Sequence, residues 1–243
     1  MFRGSVCVRN EMEERDWTAM EDPLVPTATN SPESLVADEA RMQEATRLAW
    51  RWHGLQTRKG KAISYMSHLL QVQGLVLAAG GSAEQAIAAL LHDSLEDAPT
   101  PSERAEREER IESSFGRAVL RIVLDCTDTI ASETGENKEP WRDRKERYLN
   151  QLRNAEPASR LVAACDKRHN LDDLVWDLRH EGTKTLERFS VGATEQVWYY
   201  ESVVKICTPS IPPRLGRELN DLVSSLRTLL DSQSDAPHSD ERE

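Results

Sequence analysis

The chain has 243 residues, enough to bury the core of one sizeable domain, with 31 basic against 42 acidic residues and a net charge of −11. That field disfavours nucleic acid and anionic membrane as general partners, while a local basic pocket can still hold a small anion. Cys7, Cys126, Cys165 and Cys207 form no CxxC pair, the first residues carry no apolar signal core, and no run reaches the roughly 18 apolar residues of a membrane span, so a cytoplasmic protein with reduced thiols is expected.

Residues 1–40 are rich in charge, small polar residues and proline and read as a flexible arm. From Ala40, "ARMQEATRLAWRWHGLQ" has apolar residues at helical spacing. "TRKGKAISYMS" reads as a basic loop. "HLLQVQGLVLAAGG" is a second helix, begun at His68 and stopped at Gly80-Gly81. Ser82 caps the next helix, with Gln85 at capping-box spacing. This third helix, "AEQAIAALLHDSLED", is nearly all apolar through its middle and is therefore central.

"APTPS" breaks it, and one or two helices follow around a Phe115-Gly116 corner. After the loop "ASETGENKEP" come helices "WRDRKERYLNQLRNA", "ASRLVAACDKRHNLDDLVWDLR" and "SVGATEQVWYYESVVKIC", then Pro-rich "TPSIPP". A last helix, "LGRELNDLVSSLRTLL" (209–230 with its lead-in), precedes a polar tail over 231–243. No alternating strand and no repeat is visible. The fold class is all-α, a single bundle of roughly eight helices with flexible termini.

The chemistry concentrates at the end of the central helix. On a continuous helix His92, Asp93, Glu96 and Asp97 span an arc of about 140°, so all four can face one side. Carboxylates so crowded repel, and removing them from water is costly. A divalent cation held by His92 and Asp93 would offset both. Such a site needs three or four ligands, and the candidates are His68 and Asp166, the latter an acid inside the apolar run "RLVAACDKRHNL".

Taken together, Tyr65-x-x-His68, His92-Asp93-x-x-Glu96-Asp97 and Asp166-Lys-Arg-His-Asn170-Leu, with "FG" at Phe115-Gly116 and "CTD" at Cys126 to Asp128, resemble the HD-domain metal phosphohydrolases. More narrowly they resemble the (p)ppGpp hydrolases of the RelA/SpoT type and their small stand-alone relatives. The resemblance runs from Ala45 to about Cys207 and makes 41–208 an HD-type hydrolase domain. It implies metal ligands His68, His92, Asp93 and Asp166, with manganese as the usual ion. It implies Glu96 and Asp97 as the catalytic pair that handles the attacking water, and Asn170 as a residue facing the nucleotide. The residues after Cys207 are too few for a synthetase domain, so the expected activity is hydrolytic: removal of the 3′-pyrophosphate from a guanosine alarmone.

An anionic nucleotide needs cations beside the metal. Arg58, Lys59 and Lys61 precede His68, Lys167 and Arg168 follow Asp166, and "WRDRKER" supplies Arg142, Arg144, Lys145 and Arg147. Of these, Arg58, Lys59, Lys61, Lys167 and Arg144 join Asn170 as expected substrate contacts. His53 and His169 are placed near the cleft, His180 and His238 receive no role, and Trp50, Trp52, Trp176 and Trp198 are read as core. Two alternatives stay open: an HD phosphatase acting on another nucleotide or phosphate ester, and a non-catalytic nucleotide-binding module. The oligomeric state is open as well, with a homodimer as a candidate.

Overall fold

The apolar middle of the third helix dictates the packing. In this computed structural model, which describes residues 38–129 and 139–234, Ala86, Ile87, Ala88, Ala89, Leu90 and Leu91 are all fully buried. A helix buried on every side must be surrounded. Its element, α3 (Ala83–Leu91), packs against α1 (Glu39–His53), α2 (Met66–Ala78), α5 (Arg117–Cys126) and α7 (Pro157–Glu181). Three alanines in six positions keep its girth small enough for four neighbours. Around this layer stand α4 (Pro101–Phe115), α6 (Trp141–Asn154), α8 (Ala193–Cys207) and α9 (Pro213–Ser234), with short 3-10 turns at Gly182–Arg188 and Thr208–Ser210.

Among the described residues the architecture is all-α, as expected, and the only β pairing is an isolated bridge between Thr57 and Ser64. The sequence signals for helix ends hold. Ser82 Oγ accepts from the Gln85 amide at 3.3 Å, and Gln85 Oε1 accepts from the Ser82 amide at 2.7 Å. Gly80 (φ +78°) and Gly116 (φ +88°) turn the chain where L side chains are strained. The 1–37 arm with Cys7, residues 130–138 of the following loop, and the tail from 235 with His238 lie outside the described residues.

Several expectations change. α2 starts at Met66, so His68 sits inside its first turn, and α9 runs past Asp231 to Ser234. Trp50 and Trp176 are 51% and 56% exposed, with only Trp52 and Trp198 packed on the core. α3 stops at Leu91, and residues 92–97 form a turn where a continuous helix was expected. The cause is local. The Ser94 hydroxyl donates to the Leu91 carbonyl at 2.5 Å, and buried Arg107 of α4 donates to the Ser94 carbonyl at 2.7 Å, drawing both out of the helical ladder. Arg104, one turn earlier on α4, likewise holds the carbonyl and hydroxyl of Thr129, each at 3.2 Å. The highly charged α4 thus buries two guanidiniums to hold two turns.

Because α3 is enclosed, truncation there leaves a cavity. Leu90→Ala is expected to lower unfolding free energy by about 2–5 kcal/mol. Leu77→Ala, 37% exposed on α2, stays within about 0.5 kcal/mol, both read by urea denaturation.

Candidate metal centre

Two helices and the 92–97 turn bring their donors to one buried point. His68 on α2 and His92 are each 1% exposed and Asp166 on α7 is 3% exposed. Their donor atoms lie within 4.8 Å of one another, in a group that could hold a metal ion. His68 Nε2 stands 3.3 Å from His92 Nε2 and 3.3 Å from Asp166 Oδ1, and His92 Nε2 stands 3.5 Å from the same oxygen. Asp93 Oδ2 closes the ring at 3.0 Å from His92 Nε2 and 3.6 Å from His68 Nε2.

The surroundings orient these atoms inward. His92 Nδ1 lies 2.8 Å from the Ala89 carbonyl, an acceptor only, so that nitrogen carries the proton and Nε2 is the donor left for a cation. His68 Nδ1 faces His169 Nδ1 at 3.0 Å. Burial, reinforced by His68, pushes His169 down to about 4, so its ring is neutral. If a cation binds, His68 must offer it Nε2, and the Nδ1–Nδ1 contact with His169 then holds the His68 proton on Nδ1. The Tyr65 hydroxyl donates to Asp93 Oδ2 at 2.6 Å, and Asn170 Nδ2 donates to Asp166 Oδ1 at 2.6 Å. Two imidazole nitrogens and two carboxylates suit a divalent first-row cation.

The electrostatics show what a cation would replace. Burial pushes the His92 imidazolium down, but Asp93 and Asp166 outweigh it and hold His92 well above the usual range. Burial pushes Asp166 up, and Lys167 and His92 outweigh that and hold it well below the carboxylate range. Lys167 pairs with Asp166 Oδ2 directly. The proton on His92 does the work of a positive ion between the two acids.

Glu96 and Asp97, expected side by side, diverge because they sit on a turn. Glu96 hydrogen-bonds Asp128 and lies in the field of Lys145. Asp97 Oδ2 lies 3.6 Å from Nδ1 of fully buried His53, which stacks on Tyr65. Asp128 anchors its side of the site, accepting from Arg144 at 2.9 Å and Lys145 at 2.5 Å. Burial pushes Asp128 up, but these cations and the bond from Glu96 bring it down to about 2.

A cavity of about 300 Å³ opens beside the centre, walled by Tyr65, Lys167 and Asn170, which touch it. Arg58, Lys59 and Lys61 line the cavity as expected. Arg144 does not: paired with Asp128, it points away, and its neighbour Lys145 takes the wall position. Arg142 also turns away, stacking 3.3 Å from the Trp198 ring centroid and pairing with Glu146 and Glu195. The sequence reading assigned no role to Arg188, Phe189, Tyr199 or Tyr200, which complete the far wall. The tandem tyrosines beside a basic helix were the available signal, and Tyr199 packs 4.9 Å from Lys145 Nζ.

Residues 45–190 match the family model of the HD domain. The chain belongs to the HD-domain family. Guanosine-3′,5′-bis(diphosphate) 3′-pyrophosphohydrolase MESH1 of Homo sapiens is 30% identical over 141 residues, 57% of this chain and 72% of the human protein. The Xenopus tropicalis protein of the same name is 33% identical over the same length and shares. The solved structure of a metazoan orthologue of SpoT, a protein that hydrolyses ppGpp, superposes with a TM-score of 0.60 at 22% identity, covering 78% of this chain and 97% of that one, and so shares the fold. No helix among the described residues is long and apolar enough to cross a membrane.

Because His92 holds a proton that a cation displaces, metal binding should release about one proton at pH 7. Calorimetry in buffers of different ionisation enthalpy measures it. With a raised His92 value the sign is fixed: affinity falls as pH drops, and proton release fades as pH rises past that value.

Proposed function

We propose that this HD-domain protein is a metal-dependent guanosine-3′,5′-bis(diphosphate) 3′-pyrophosphohydrolase, giving GDP (or GTP) and pyrophosphate. The observation that carries the reading is a buried His-His-Asp group beside a cavity walled by cations. The likeness to the pyrophosphohydrolases of human and frog supports the choice of substrate. His68, His92, Asp93 and Asp166 are the proposed ligands, with Mn2+ as the ion. When bound, the ion supplies Lewis acidity toward the phosphoryl group and makes water more acidic.

The chain's residues do the rest. Lys167 and Asn170 border both the centre and the cavity, and they orient the 3′-diphosphate over it. Arg58, Lys59, Lys61 and Lys145 attract and hold the polyanion. Asp97, beside neutral His53, takes the proton of the attacking water. Glu96 delivers its proton to the 3′-oxygen as the phosphorus–oxygen bond breaks. Water's hydroxyl ends on the pyrophosphate, and the proton held by Asp97 passes through solvent back to Glu96, so that the net reaction consumes one water. The setting that fits is the cytoplasm and the turnover of starvation alarmones, with a homodimer as a candidate assembly.

Purified protein with ppGpp and Mn2+ should yield GDP and pyrophosphate, followed by ion-exchange chromatography. Glu96→Ala is expected to lower kcat by about 10²–10⁴-fold, and Asp93→Ala to abolish turnover through the metal. A folded, metal-loaded protein that leaves ppGpp intact while cleaving another phosphate ester in a substrate panel would move the reading to that ester.

A further inference from the structure

The long helix α7 carries a stripe of which the chemistry uses only one end. Asp166, Asn170, Asp173 and Asp177 recur every three or four residues and so share one face. Along the axis Asp177 stands about 16 Å from Asp166, at 1.5 Å per residue. Beyond Asp166 each position receives a cation from another segment. Arg58 Nη2 donates to Asn170 Oδ1 at 2.8 Å and Asp173 Oδ2 at 3.0 Å. Asp177, only 5% exposed, takes two: Lys61 Nζ at 2.7 Å and Arg188 Nη1 at 3.0 Å.

Lys61 comes from a segment with little packing of its own, while Arg188 comes from a turn anchored by buried Thr185 and by Leu186 on the core. Lys61 lies in the 57–64 hairpin, whose Ile63 is 48% exposed. The hairpin is held by the Thr57–Ser64 bridge and by the Arg58 amide on the Ile63 carbonyl at 2.8 Å. Arg188 ends the 3-10 turn Gly182–Arg188. At the hairpin tip Gly60 (φ +70°) packs so closely that a Cβ there would come within 2.9 Å of Arg188 Cδ. The hairpin therefore leans on Arg188, and both lean on Asp177. Lys61, Asp177 and Arg188 all line the cavity, at the end away from the metal ligands.

We propose that Asp177 is a positioning residue for substrate binding: it clasps Lys61 and Arg188 across the outer mouth of the cavity and aims them at the phosphate group that is not cleaved. This deepens the pyrophosphohydrolase reading and rests on it for the identity of the substrate. An ammonium has three donors and a guanidinium five, so each cation can hold Asp177 and still bind an anion. Fixing both before the substrate arrives removes an ordering cost from binding. Without Asp177 the two cations repel, and the hairpin is left with Arg58 alone tying it to α7.

The test compares Asp177→Asn with wild type by steady-state kinetics on ppGpp with Mn2+ and by calorimetric binding of ppGpp to metal-free protein. KM and Kd should rise about tenfold with kcat within about twofold of wild type. Asp177→Glu should recover part of the loss, and Lys61→Gln should reproduce it if Asp177→Asn does not fold. Combining Asp177→Asn with Arg188→Gln should cost less than the two single effects multiplied, because they break the same clasp. With guanosine 3′-diphosphate, which lacks the 5′-diphosphate, the KM penalty should shrink at least severalfold; a merely structural lesion would penalise both substrates equally. An unchanged KM for ppGpp, or equal penalties on the two substrates, overturns the clasp. Wild type that binds ppGpp but does not cleave it overturns the pyrophosphohydrolase reading, and the Kd comparison still judges the clasp. Wild type that does neither overturns both.

Discussion

Two carboxylates and two imidazoles meet at a buried point between the helices of this bundle, and charge balance at that point constrains the rest. Asp166 is almost fully buried on α7, and Asp93 lies 3.0 Å from His92 Nε2. Left alone, two such anions would be too costly to keep ionised in so dry a place. The protein surrounds them with positive charge and donors: Lys167 on Asp166, Asn170 on its other oxygen, Tyr65 on Asp93, and a proton or a metal ion at the imidazoles. Each of these partners is also part of the cavity wall. The groups that make the buried acids tolerable are therefore the groups a phosphate ester meets first.

The same balance explains the arrangement further out. α7 spends its inner face on the centre and continues as a stripe of acceptors, each neutralised by a cation from another segment. On the opposite side Asp128 gathers Arg144 and Lys145 and meets Glu96. Buried guanidiniums from α4 hold the two turns that carry Glu96, Asp97 and Asp128. Although the chain is strongly acidic overall, its cations are concentrated where a polyanion would dock.

Much of this was legible in the sequence where one physical cause acts locally. The capping pair Ser82 and Gln85, the glycines at 80 and 116, and the all-apolar stretch through Leu91 each state their structure directly. The convergence of His68, His92 and Asp166 was legible through a resemblance, because no spacing rule links residues so far apart in the chain. Long-range competition stayed hidden. Arg107 ends α3 from another helix, and nothing in "ERAEREERIE" tells a guanidinium that will be buried from its solvated neighbours. Arg144 and Lys145 differ by one step of about 100° on a helix. Both reach Asp128, and Lys145 alone of the two also lines the cavity. Trp50 and Trp176 failed as core residues because helical spacing marks a face without saying whether a neighbour covers it.

The central claim is that the four residues His68, His92, Asp93 and Asp166 hold one divalent cation. Anomalous-difference crystallography on crystals grown with Mn2+ tests it most directly. A single strong peak is expected, enclosed by the two Nε2 atoms, Asp93 Oδ2 and Asp166 Oδ1, and absent in crystals of His92→Ala. A well-ordered crystal with no peak there, or with its manganese bound by other side chains, would contradict it.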